Sequence, residues 1–294
     1  GRLSSALISA EEMEKNARLQ YERAREITAF QTQRAYLTLL AAQEALTIAD
    51  DAVKAAQVHA RSTAQLSREG RAVVSDKLTA EVSLAAVQAS REQAVTHVGT
   101  ARNQLKLVMG LPLDSDINQA AARVDIEASS ESNLADSETR ALAGRKDLAA
   151  ARTLNQAARA RVQAARAAHK PSVDFIATSN WYDDHPGFDS HSSSVMGVVS
   201  LDLYAGGRHR GEVGTALAEE NEMQWRAQAL EQSVRNDVRA AHDNLREAGA
   251  RHATAADNVE RARENVRLVD RRYGQGRTIL IDLLQAERSY TDAR

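Results

Sequence analysis

The sequence predicts a mainly α fold with a small β part: long antiparallel helical hairpins and one strand pair, arranged as an internal two-fold repeat. Three observations predict it. A fourteen-residue stretch, Gly70-Arg71-Ala72-Val73-Val74-Ser75-Asp76-Lys77-Leu78-Thr79-Ala80-Glu81-Val82-Ser83, returns as Gly276-Arg277-Thr278-Ile279-Leu280-Ile281-Asp282-Leu283-Leu284-Gln285-Ala286-Glu287-Arg288-Ser289, with seven identical positions at an offset of 206 residues. A match of that length marks a duplicated unit. Each copy lies between apolar residues spaced alternately three and four apart, the signature of packed long helices. Between Pro171 and Ala205 the period drops to two, which is the period of a strand.

The composition fits this reading and excludes others. The chain has 294 residues and a formal net charge of −2, so nothing in its charge points to nucleic acid. Ala, Arg, Glu, Gln and Leu dominate, as in long helices. There are 3 prolines and no cysteine; disulfide and thiolate chemistry are excluded, and the compartment is left open. No run of about 18 apolar residues occurs, so no helix is expected to cross a membrane. The chain opens and closes inside helical patterns, which reads as part of a longer protein.

Helix is expected from Ser4 to Glu69, with a heptad seam of Leu39, Ala42, Leu46, Ala49, Val53, Ala56 and Ala60. The seam alternates large and small side chains, which suits a wide tube better than a tight two-stranded coil. Gly70 breaks this helix and Asp76 is expected to cap the next. That helix returns from Ser75 to Met109 and stops at Gly110-Leu111-Pro112. Residues 113–135 are mixed, with Ser129 to Ser132 the most loop-like part. Helix resumes near Ser137, continues from Arg145 to His169, and ends before Pro171. From Glu212 to Tyr273 it returns, with Leu245, Ala248, His252, Ala255, Val259, Ala262, Val266, Val269 and Tyr273 on the seam. Both seams share one register at the repeat offset. Sixty-two residues at about 1.5 Å each make a helix of roughly 90 Å, longer than a compact globule needs and suited to a periplasm-spanning column.

In the β part, Val173, Phe175, Ala177, Ser179 and Trp181 alternate with Asp174, Ile176, Thr178, Asn180 and Tyr182. Val195, Gly197, Val199, Leu201 and Leu203 alternate with Met196, Val198, Ser200, Asp202 and Tyr204. Each run is about ten residues, the length and weak alternation of a transmembrane β-strand. Trp181 and Tyr182 stand where interface aromatics would. The segment from Asp183 to Ser194 reads as a solvated loop, and Gly206-Gly207-Arg208 ends the second strand.

Strand pair, very long helix, glycine turn, returning helix and short helices, repeated at 206 residues, resemble the TolC-like outer membrane factor family of outer membrane efflux proteins. The marks are the paired Gly-x-x-x-x-x-Asp-x-Leu turns, Gly206-Gly207-Arg208, Arg145-Lys146-Asp147-Leu148 opening a helix, and Pro171 leading into a strand. The resemblance covers essentially the whole chain. It divides the chain into a first repeat, 1–136, with its tip at 70–76 and an equatorial-like segment, and a second, 137–294, with a β-hairpin at 171–205 and a tip at 276–282. It implies an α-barrel protomer that also contributes strands of a transmembrane β-barrel, with a first strand pair lying before Gly1.

The resemblance also implies function. The family forms exit ducts of tripartite efflux pumps and type I secretion systems, conducting passively as homotrimers in the outer membrane. Expected partners are a periplasmic adaptor (membrane fusion) protein, an inner-membrane transporter reached indirectly, and outer membrane lipid. The tips at Gly70, Arg71 and Val73 and at Gly276, Arg277 and Ile279 are expected to meet the adaptor; the alternative is that the two glycines serve only as helix C-caps. Tyr273 and Asp282 match entrance-gate positions. Three Asp282 carboxylates around one axis would favour cations, whereas as a plain helix-start carboxylate Asp282 would simply match Asp76. Gln285 stands where some relatives carry a second acid, and Thr278 where an arginine is expected. Tyr273 equally suits packing at the end of the seam.

His185, His191, Asp183, Asp184 and Asp189 cluster in the strand loop, where nothing fixes a metal-ligand spacing; a solvated loop is expected, and no metal, cofactor or catalysis. His252 on the seam is expected to be a packed or hydrogen-bonded histidine rather than a ligand. Of the competing readings, a soluble structural coiled-coil protein accounts for the heptads but for neither the strand pair nor the duplication. A periplasmic adaptor would carry one hairpin flanked by β-rich halves.

Overall fold

The computed structural model describes residues 2–117, 133–183 and 189–294. The Ser129 to Ser132 loop and most of the 113–135 stretch lie outside them. The order is α1 (Arg2–Arg68), α2 (Val74–Val108), α3 (Leu134–Gly144), α4 (Lys146–Ala167), β1 (Ser172–Asp183), β2 (Asp189–Ser200), α5 (Arg208–Gly274) and α6 (Leu280–Ala293). No described helix is long and apolar enough to cross a membrane.

The duplication is built into the backbone. α1 and α5 each run for 67 residues. Their first residues, Arg2 and Arg208, and their last, Arg68 and Gly274, differ by the sequence offset, as do the starts of α2 and α6 at Val74 and Leu280.

The strands form a two-stranded antiparallel sheet. The register pairs Val173 with Val199, Phe175 with Gly197, Ala177 with Val195, Ser179 with Ser193 and Trp181 with His191. Directly paired residues share a face, so one face carries Val173, Phe175, Ala177, Trp181, Val195 and Val199 together with Ser179, Ser193 and His191. The other carries Asp174, Thr178, Asn180, Ser192 and Ser194 beside Ile176, Met196 and Val198. β2 lies earlier than the alternation implies: Ser190 to Ser194 join the ladder, while Leu201 to Tyr204 fall outside it. Hydrogen bonding to β1 carries the serines into the sheet, and serine has no apolar signal to announce this. Past Ser200 no partner strand is found among the described residues.

The chain divides into two compact units that cut across the repeat: residues 1–24 with 131–239, and residues 25–130 with 240–294. In the first, α4 buries Leu148, Ala150, Thr153, Ala157, Ala158, Ala160 and Val162, more than one face can hold. Contacts lie on both sides. Asn16 of α1 donates its amide to the Ala150 carbonyl at 2.8 Å, and Arg159 and Arg145 reach Glu220 and Asp237 of α5 at 3.2 and 2.7 Å. The Arg145-Lys146-Asp147-Leu148 motif forms the start of α4. Arg145 grips Asp147 through two hydrogen bonds, at 3.1 and 2.6 Å, and Leu148 is buried behind them. This grip holds the Asp147 carboxyl below the usual carboxylate range, against the opposing effect of burial.

In the second unit, Ala35 and Leu39 of α1 pack with Val98, Ala101 and Leu105 of α2, with Ala42 and Leu46 at the edge. The expected seam is thus the core here. In α5 the first part of the same register is exposed: Leu245 is 53% exposed, and Ala248, His252 and Ala255 are exposed too. The expected packing of His252 is corrected accordingly. α2 runs back for 35 residues beside α1; nearer the second turn, Val259, Ala262, Val266, Val269 and Tyr273 of α5 are half-buried.

Candidate functional site

Both glycine turns lie in the second unit and close in the same way. In the first, the Gly70 N–H donates to the Ser67 carbonyl at 3.1 Å and Arg71 to Leu66 at 2.8 Å; in the second, Gly276 donates to Tyr273 and Arg277 to Arg272, each at 2.9 Å. This pair of bonds is a Schellman motif, and it needs a left-handed residue. Gly70 and Gly276 both have φ of 70°. A side chain at either would meet nothing within 4 Å, so conformation, not crowding within the chain, demands glycine.

The carboxylates differ from expectation. The residues capping α2 and α6 are Val73 and Ile279, without side-chain caps, while Asp76 and Asp282 sit in the first turn. There they face the positive end of the helix dipole without capping it. The helices begin at Val74 and Leu280, three residues earlier than an aspartate cap would require. The Thr278 hydroxyl donates to Asp282 at 2.5 Å, so the residue in the expected arginine place engages the acid directly.

The six tip residues, Gly70, Arg71, Val73, Gly276, Arg277 and Ile279, are all exposed, with Val73 at 67% and Ile279 at 64%. Beneath them α6 buries Leu280, Leu283 and Ala286 along one stripe, and α2 contributes the buried Ala80. Asp282 and Gln285 lie on the exposed side of α6, and Tyr273 is half-buried at the end of α5. Among the described residues no hydrogen bond joins Tyr273 to Asp282.

Sequence reasoning missed the ties that hold α6 to α1. His59 Nε2 and Glu287 Oε1 lie 2.6 Å apart, and Arg294 meets Asp51 at 3.2 Å. These partners stand 228 and 243 residues apart, and no local pattern links them. Of the loop candidates for metal, Asp184 and His185 lie outside the described residues, and the side chains of Asp183 and Asp189 are likewise outside. His191 is placed on the sheet, its Nε2 at 3.0 and 2.9 Å from the Ser179 and Ser193 hydroxyls and its ring against Trp181.

Residues 139–294 match the family model described as outer membrane efflux protein. The chain belongs to the outer membrane efflux protein family. Solved structures share the fold of this efflux protein. A membrane protein from Pseudomonas aeruginosa superposes with a TM-score of 0.83 at 20% identity, over 100% of this chain and 69% of that one. The Campylobacter jejuni CmeC outer membrane channel gives 0.82 at 18%, over 100% and 63%. The outer membrane protein VceC from Vibrio cholerae gives 0.82 at 19%, over 100% and 70%. The efflux protein thus spans about two thirds of the length of each. No curated protein matches its sequence.

Proposed function

We propose that this outer membrane efflux protein is part of an exit duct that conducts solutes passively from a periplasmic tunnel to the exterior, in a tripartite efflux pump or a type I secretion system. The observation that carries the reading is the pairing of a duplicated long hairpin, whose two tips close by the same bonds, with a strand pair that has one more apolar and one more polar face. A barrel satisfies its backbone hydrogen bonds within the sheet and so tolerates lipid. A ring of long helices below it keeps a watery path. Structures that share the fold include outer membrane channels, one of them in an open state, which supports this reading.

In the proposed assembly three copies surround one axis. The apolar strand face meets outer membrane lipid, and the hydroxyl-rich face meets water and cargo. The repeats divide at residues 136 and 137. The exposed tips around Gly70, Arg71 and Val73 and around Gly276, Arg277 and Ile279 receive a periplasmic adaptor, which links the duct to an energised inner-membrane transporter. Tyr273 and Asp282 line the entrance.

The test is the mass of the protein in detergent, by light scattering corrected for bound detergent. An elongated trimer is expected. A monomer or dimer that stays soluble without detergent overturns the duct and leaves a structural coiled coil.

A further inference from the structure

We propose that His59 and Glu287 form a proton-dependent clasp that fastens the tip helix α6 to α1 and tightens as the pH falls. The clasp rests on the geometry of the tip and not on conduction.

The two side chains are 2.6 Å apart, and both are largely shielded from water. They come from different helices and sit close above the turns, so the contact controls how firmly α6 lies on α1. The buried stripe of α6 is Leu280, Leu283 and Ala286, and the second ion pair to α1, Arg294 with Asp51, is at its far end. Of these contacts, only that of His59 involves a histidine, the side chain whose ordinary titration falls near neutrality.

The groups facing His59 are both acidic: Glu287 from α6 and Asp270 from α5. Hydrogen bonding to Glu287 raises the histidine above its ordinary 6.5, against the opposing effect of burial, with Asp270 adding to the rise. A raised histidine contributes stability that is fully present below its ordinary value and is lost as the pH rises through its folded one. Acid therefore strengthens the clasp.

The duplication supplies an internal contrast. The counterpart of Glu287 in the first repeat is Glu81, which pairs only with Lys77 one turn away on its own helix, at 3.7 Å. The counterpart of His59 in the second is Asn265. α2 is tied to α1 by Arg91 and Asp50 at 2.6 Å, a pair without a histidine, whereas the tie of α6 to α1 includes one.

The experiment is amide hydrogen exchange on the full chain at about pH 5.5 and about pH 8, corrected for the intrinsic pH dependence of exchange, with α4 as internal reference. In the wild type α6 is expected to exchange several-fold more slowly at the lower pH, relative to α4. His59→Gln and Glu287→Gln should abolish that difference and leave α6 weakly protected at both values. His59→Lys, which keeps the charge, should give a pH-independent α6, more protected than in His59→Gln. A wild-type α6 that ignores pH overturns the clasp, and so does a His59→Gln chain that keeps the wild-type response. The readout is local docking of a helix, so it stands or falls separately from the trimer mass that tests the duct.

Discussion

Gly70 and Gly276 are the residues on which the hairpins turn. Each has a positive φ and open space around it, so the cost of a side chain is purely conformational. Gly70→Ala or Gly276→Ala should each destabilise the chain by about 1 kcal/mol, the cost of a left-handed non-glycine residue. Asparagine, which tolerates that conformation, should cost less. Urea unfolding of the three chains checks the order. At Asp147 the expected outcome comes from lost hydrogen bonds. Asp147→Asn weakens the two-pronged grip of Arg145 and should cost about 1 to 3 kcal/mol, as for hydrogen bonds to charged groups. Because the carboxyl is lowered from 3.8, its contribution is present above that value and lost as the pH falls through the lowered one. An acid titration of stability should therefore show a loss below about pH 4 in the wild type that is smaller in Asp147→Asn.

At the scale of elements, one seam position has different exposure in the two repeats of this chain. Leu39 and Leu245 occupy the same seam position one repeat apart, yet Leu39 is 0% and Leu245 53% exposed. Leu39→Ala should cost about 2 to 5 kcal/mol, as for a fully buried leucine. Leu245→Ala should change stability by no more than about 0.5 kcal/mol, as on an open surface. Thermal unfolding of the two variants makes the comparison directly, and equal losses would mean that α5 is covered in solution. The periodicity of the two helices does not distinguish them, because a heptad pattern says which face seeks a partner and not whether one arrives.

The whole molecule adds the membrane. Ala177 and Thr178 are neighbours in β1 on opposite faces of the sheet. On the proposed reading Ala177→Arg puts a cation in lipid, at a cost of about 2 to 4 kcal/mol near the bilayer midplane, and should lower the fraction of protein floating with vesicles. Thr178→Arg should leave flotation unchanged. At the other end, Asp282→Asn should lower the preference for cations over anions in planar-bilayer recordings if three carboxylates ring the entrance. An unchanged reversal potential under a salt gradient would leave Asp282 as a helix-start carboxylate only.

The sequence by itself determined the long helices, the 206-residue duplication and the turns at Gly70 and Gly276, and with them the family. These features rest on local backbone preference and on periodicity, which are written along the chain. It also marked the exposed tips, since each turn is flanked by two amphipathic helices. Its reading of β2 fell short because Ser190 to Ser194 enter the sheet only through their partner strand. Its aspartate caps were displaced for a similar reason, since where α2 and α6 begin depends on how the turn closes. Only the tertiary structure decided that His59 meets Glu287 across 228 residues and that Arg294 meets Asp51. Those contacts depend on where separate helices come to rest, and no local pattern encodes the meeting of two residues so far apart in the chain.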